Sequence, residues 1–234
     1  MFAVLLLALI LGGAGSDPSF QAPDKTQDKT PKAAKGLSAD EVAFIEAARA
    51  GDDATVARYL NAGLDVNLLD KRDEELSTVL MVAAMAGKTE TTKLLLEHGA
   101  KIDAKTKKGR TALTWASWRG MTDTVKALLA AGANVNTRDQ WGSSPLGFAV
   151  SRGRTETVAV LLNAGAKTNF HHTESGQTVL IDAVVRGNID VVRLLLENGA
   201  DVNEQDLGGR KPVDFARKLN RVEIEVMLRR AAAK

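Results

Sequence analysis

The 234-residue chain contains no cysteine. Disulfide-stapled scaffolds and thiolate metal centres are therefore excluded. So is the lipid-modified N-terminal cysteine of a bacterial lipoprotein. Aromatic residues amount to 4% of the chain, against 44% apolar residues in all. That balance suits a core of Leu, Val and Ala in an extended array better than one large globular core. Charge is nearly balanced, at a formal +2, too little to imply a nucleic-acid partner. There is no glycine-rich phosphate loop, no Gly-x-Ser-x-Gly and no His-Glu-x-x-His. Asn-x-Ser/Thr glycosylation sites are also missing.

Histidines number three. His98 stands just before a helix-ending glycine and reads as a solvated terminal residue. His171 and His172 lie near Glu174, and two imidazoles with a carboxylate suit Zn²⁺ or Ni²⁺. Adjacent residues on an extended segment point to opposite faces, however, so the expectation is no metal, no cofactor and no catalysis, with an enzyme or metal-binding protein built on Asp182 or His171/His172 as the alternative.

What the chain does have is a period. Gly63, Gly99, Gly132, Gly165 and Gly199 recur at nearly even intervals, the first gap being the longest. Each opens a short motif, such as Gly132-Ala-Asn-Val-Asn136 or Gly199-Ala-Asp-Val-Asn203. A second glycine precedes each motif by the same offset: Gly51, Gly87, Gly120, Gly153 and Gly187. Self-similarity at a fixed period of about 33 residues means stacked units, each unable to bury its apolar face alone.

Within a unit the pattern predicts two antiparallel helices. Thr78, Thr111, Ser144 and Thr178 stand where a side-chain oxygen caps a helix, and Pro145 follows at the first helical position. Alanines on the first helix leave room for close packing. The mid-unit glycine suits the helix–helix turn, and the later one the left-handed end of the second helix. Leu and Val at three- and four-residue spacing give the second helix one buried stripe. An extended, hairpin-like finger leads to the next cap.

Gly109-Arg-Thr-Ala-Leu113 together with Leu128-Leu-Ala-Ala-Gly-Ala-Asn-Val-Asn136 resembles the ankyrin repeat. The resemblance implies an all-α solenoid of about six stacked helix pairs with short β-hairpin-like fingers. Four full repeats run over 73–105, 106–138, 139–172 and 173–205, beginning near Asp73, Thr106, Asp139 and Thr173. Degenerate units flank them at 38–69 and 206–230, and residues 231–234 form a tail. Terminal units need a polar outer face. The family's first-helix histidine is replaced by Met81, Thr114, Gly147, Ile181 and Asp214, which predicts a stack held more by apolar packing than by hydrogen bonds between repeats. Asp182 is out of keeping with its equivalents Val82, Trp115, Phe148 and Phe215, and reads as a carboxylate bonded locally.

The resemblance further implies a partner protein bound on the concave face, by the finger tips and the exposed side of the first helix. In phase, those positions are Met85, Trp118, Arg119, Ser151, Arg152, Val185 and Arg186 on the helices. The fingers add Lys107, Lys108, Arg110, Gln140, Trp141, Glu174 and Gln177. Arg119, Arg152 and Arg186 should form a ladder one repeat apart. Asp73, Glu74 and Glu75 would give this basic surface an acidic N-terminal edge. The expected partner carries an acidic segment, and the expected state is monomeric.

The N-terminal run Phe2 to Leu11 is uncharged and too short for a transmembrane helix of ~20 residues. With Gly12 to Ser16 behind it, residues 1–16 read as a secretory signal, although no Lys or Arg precedes the run. Residues 17–36 are polar, in keeping with a disordered tether. Export, with no cysteine and no glycosylation site, points to the periplasm and to no membrane span after cleavage. Secretion as an effector that binds a foreign protein, or anchoring by an uncleaved signal, are the alternatives.

Overall fold

A computed structural model describes residues 36–170 and 176–233. The readings made for the signal and tether segments, and for His171, His172 and Glu174, lie outside the described residues. Among the described residues are twelve helices in six successive pairs. In chain order they are α1 Ala39–Ala50, α2 Asp53–Asn61, α3 Val79–Met85, α4 Thr89–Glu97, α5 Ala112–Arg119, α6 Thr122–Ala130, α7 Pro145–Ser151, α8 Thr155–Asn163, α9 Val179–Arg186, α10 Ile189–Glu197, α11 Pro212–Lys218 and α12 Val222–Ala232. First helices pack on neighbouring first helices, second helices on neighbouring second helices, and each on its own mate. None is long and apolar enough to cross a membrane.

The two helices of a pair bury themselves differently. In α3 every residue from Val79 to Ala84 is buried, because a first helix is flanked on both sides. Second helices bury one stripe, such as Thr124, Val125 and Leu128 in α6. Thr78, Thr111, Ser144 and Thr178 cap α3, α5, α7 and α9, each accepting the N–H three residues on. That satisfies one of the donors a helix start leaves open.

The two glycine series act differently. Gly132 has φ +90°, and an added Cβ would meet nothing within 4 Å, so backbone conformation alone demands glycine there. At Gly120, φ +76°, the Cβ would also lie 2.6 Å from Arg154 Cδ of the next pair. In the last unit Asn220 replaces the mid-unit glycine and takes φ +54°, a conformation Asn tolerates better than most residues.

Beside its apolar packing, the stack carries hydrogen bonds between repeats. Polar rungs have moved to other positions. Along the second helices Thr91 Oγ1 donates to Asp53 Oδ1 (2.5 Å), Thr89 and Thr124 share a bond of 2.9 Å, Thr122 and Thr157 one of 3.0 Å, and Asn188 donates to Thr155. Further along, the same positions hold apolar Ile189, Val191 and Ile224. A second ladder uses the last residue of each repeat motif. Asn67, Asp103, Asn136 and Asn169 accept the backbone N–H of Lys101, Asn134, Lys167 and Asp201 in the next motif, at 2.8–3.2 Å. In the final pair Glu225 stands where Thr92, Val125, Val158 and Val192 are fully buried. Arg217 and Arg229 neutralise it at 3.3 and 2.7 Å.

Candidate functional site

Among the described residues, four fingers are closed by one device. The residue that opens the finger donates its N–H to the carbonyl that ends it: Asp70 to Ser77, Thr106 to Arg110, Asp139 to Ser143 and Asp206 to Arg210. The opening side chain then accepts N–H groups from inside the loop, as Asp139 does from Trp141 and Ser143. In the second, third and last fingers the closing bond spans four residues. In the first it spans seven. Three extra residues there account for the longer gap between Gly63 and Gly99. Fingers are also stitched together, Lys107 N–H to Glu75 O (3.0 Å) and Gln140 N–H to Lys108 O (2.9 Å). Glu75 is thus the counterpart of Lys108, and Leu76 the counterpart of Gly109, with φ +56° against +82°.

That register sets an anion beside the next finger's cations. Glu75 Oε1 lies 2.9 Å from Arg110 Nη1 and 3.2 Å from Lys108 Nζ. Arg110 also faces Asp139 Oδ2 of the third finger at 3.6 Å. Arg110 is 1% exposed and so not a finger-tip contact, a correction to the sequence reading. Its guanidinium is enclosed by Trp115, Trp141 and Phe148, with ring centres 5.2–5.6 Å away. The acidic edge expected at Asp73 to Glu75 is largely consumed internally. Glu75 pairs as described, and Asp73 accepts from Ser77 Oγ and Glu75 N–H.

From Arg110 a line of rings runs along α5. Trp115 meets Trp118 edge to face, centres 6.2 Å apart at 88°. Trp118 is covered by two guanidinium groups, Arg119 at 5.2 Å and Arg152, of the next repeat, at 4.8 Å. All three tryptophans of this aromatic-poor chain therefore belong to one cation–aromatic line joining fingers to helix ends. Trp118 is only 6% exposed. It supports the arginines from beneath and does not itself offer a surface, which again departs from the sequence reading.

The arginine row is exposed where Trp118 is not. Arg152 and Arg186 are exposed and Arg119 is half-buried. Burial, and then the like charges of Arg186 and Arg154, lower the pKa of Arg152 from its ordinary value. Among the described residues Arg119 and Arg186 form no ion pair, and the buried Arg119 Nε has no hydrogen-bond partner. Arg154, directly after the mid-unit glycine, went unremarked in the sequence, although its place beside that turn signals it. Three acidic residues of the second helices are engaged within their own helices. Glu90, Asp123 and Asp190 pair with Lys93, Lys126 and Arg193 one turn on.

The remaining candidates divide by exposure. Lys107 and Gln140 are exposed at adjacent finger tips, and Lys108 and Trp141 half-buried, Lys108 Nζ lying 5.8 Å from the Trp141 ring centre. Met85, Ser151, Gln177 and Val185 are half-buried, Ser151 donating to Phe148 O. Asp182 is half-buried. His98 is exposed and its Nδ1 bonds Leu94 O at the end of α4. Among the described residues no group of three His, Asp or Glu side chains is placed to hold a metal ion.

Paired helices, closing fingers and stacked repeat motifs define a repeat protein of the ankyrin type. The family profile described as "Ankyrin repeats (3 copies)" matches residues 44–139 and 119–206, and the chain belongs to that family. Ankyrin repeats generally mediate protein–protein interaction. The chain is 42% identical over 55 residues to "Potassium channel AKT1" of Arabidopsis thaliana. That stretch is 24% of this chain and 6% of the channel, so the likeness is confined to a small fraction of that protein.

Proposed function

We propose that this chain is a non-catalytic scaffold that binds an acidic partner protein through the row Arg119, Arg152 and Arg186, with Lys107 and Gln140 at the neighbouring finger tips. The observation that carries this reading is the division of the cations. Lys108 and Arg110 are neutralised by Glu75 and Asp139, whereas Arg119 and Arg186 have no carboxylate partner among the described residues. Guanidinium groups held against a ring present their donors with little left to order on binding. Trp118 holds Arg119 and Arg152 in this way, and the repeat stack fixes their register. The N-terminal apolar run supports a place for the protein in the periplasm, where one chain without cysteine needs no oxidative folding.

The test is capture from an envelope fraction by the chain starting near Asp17, with the Arg119→Ala/Arg152→Ala variant alongside. The expected result is a partner whose binding weakens in the variant and is less salt-sensitive than with the wild type. A partner held equally by both proteins at all salt concentrations removes the basic row from the function.

A further inference from the structure

The last helix turns apolar side chains outward at the end of the stack. Val222 is 63% and Val226 42% exposed, one turn apart on α12. Apolar residues scattered singly on a surface need no explanation. These two, however, stand in register with residues that join one pair to the next. Counted from the helix start, Val222 takes the place of Thr122 in α6, and Val226 that of Lys126. In the interior Thr122 Oγ1 meets Thr157 Oγ1 of α8 at 3.0 Å, and Lys126 Nζ meets Glu156 Oε1 at 3.6 Å. The valines therefore lie on the face of α12 that a following pair would cover. A terminal unit normally keeps that face polar. In this chain the interior is polar at these places and the end is apolar.

The opposite end of the stack differs in the matching places. Those of Glu156 and Thr157 fall in α2 on Ala54 and Thr55. The second helical residue is acidic in every other second helix, as Glu90, Asp123, Glu156, Asp190 and Glu223. Ala54 is the exception, and it is exposed. Where the interior sets lysine against glutamate, the two ends offer valine and alanine. Removing that apolar surface from water is favourable, and no charge is stranded by it. The ends also differ in sign. Residues 38–69 hold six carboxylates against two arginines, and residues 206–230 hold four against seven Lys and Arg. Opposite potentials steer such faces together.

We propose that this chain associates head to tail with further copies of itself. In this contact α12 of one chain lies against α2 of the next, in the register of two neighbouring second helices, with Val226 on Ala54 and Val222 on Thr55. The dilute form is the monomer expected from the sequence. The contact joins unlike faces, so every assembly keeps one free end of each kind and growth continues beyond the dimer. It is independent of the arginine row, which stands at the ends of the first helices.

Sedimentation velocity on the full chain across about 1–100 μM tests this. The wild type should gain mass with concentration and pass beyond the dimer. Val226→Lys and Ala54→Glu each strand a charge in the contact and should weaken association about tenfold or more. Both substitutions bring in residue types that interior helices carry at these places, and circular dichroism checks that the fold is kept. Mixing the two single variants should restore association, because the new lysine of one then meets the new glutamate of the other as Lys126 meets Glu156. A wild type that stays monomeric throughout, growth that stops at a dimer, or a mixture that stays dispersed each overturn the proposal. Association lost in Val226→Lys but intact in Ala54→Glu would set α12 against its own copy, and overturns it as well.

Discussion

Replacing Arg110 by methionine tests whether the finger array is held by its buried charge cluster. Methionine keeps most of the stem's volume among Trp115, Trp141 and Phe148 and removes the guanidinium. Glu75 retains Lys108 at 3.2 Å. Asp139, whose side chain is 0% exposed, loses the cation facing Oδ2 and keeps the N–H groups of Trp141 and Ser143 on Oδ1. Removing one partner of a buried ion pair costs about 3–5 kcal/mol. Because one of the two carboxylates keeps a counter-ion, the lower end applies, about 3 kcal/mol. For a chain of this size that corresponds to a fall in Tm of about 6–12 °C. Thermal melts should be followed by both circular dichroism and tryptophan fluorescence, since repeat arrays can depart from two-state unfolding. Arg110→Met/Asp139→Asn provides the internal check. The amide keeps the oxygen that accepts the backbone bonds and removes the stranded charge, so the double variant should recover much of the loss. A Tm within about 2 °C of wild type for the single variant, or a double variant that simply adds a second loss, would refute the reasoning.

Four further substitutions have expected outcomes. Gly132→Ala should cost about 1–2 kcal/mol for the left-handed backbone alone. Gly109→Ala, whose Cβ would sit 3.1 Å from the Asp139 Cα, should cost at least about 1 kcal/mol more through overpacking, as read by urea denaturation. Burial opposes ionisation of Asp70, but the Arg72 hydrogen bonds and the Arg72 and Arg49 charges outweigh it and hold the carboxyl below its usual range. A carboxyl depressed in the folded state stabilises above its unfolded value, about 3.9, and that stability is lost as pH falls through the lower folded value. The acid dependence of Tm below about pH 4 should therefore flatten in Asp70→Asn. Asn136→Ala removes the acceptor for Lys167 N–H (2.9 Å) and the donor to Gly165 O (3.2 Å). It should cost about 1 kcal/mol and speed hydrogen exchange at the Lys167 amide, while an unchanged exchange rate would remove that rung from the stack.

Much of the molecule was legible as a string because repeat architecture is written in local chemistry. A cap must precede its helix by one residue, a left-handed turn needs glycine or asparagine, and a buried stripe needs three- and four-residue spacing. Thr111, Gly120, Leu128, Gly132 and Asn220 could each be assigned from their neighbours alone. The helix pairs, their capping residues and the phase of the arginine row followed from such rules. Which charges are neutralised did not. Glu75 and Arg110 are 35 residues apart, and they meet because the stack sets finger against finger, with Glu75 at the place that Lys108 takes in the next one. The same register buries Trp118 beneath Arg119 and Arg152, where position on the first helix had suggested an exposed ring. Periodicity reports which residues are equivalent. Whether a given side chain faces solvent or the next repeat is decided by how one unit lies on another, since only contact between repeats removes water from it.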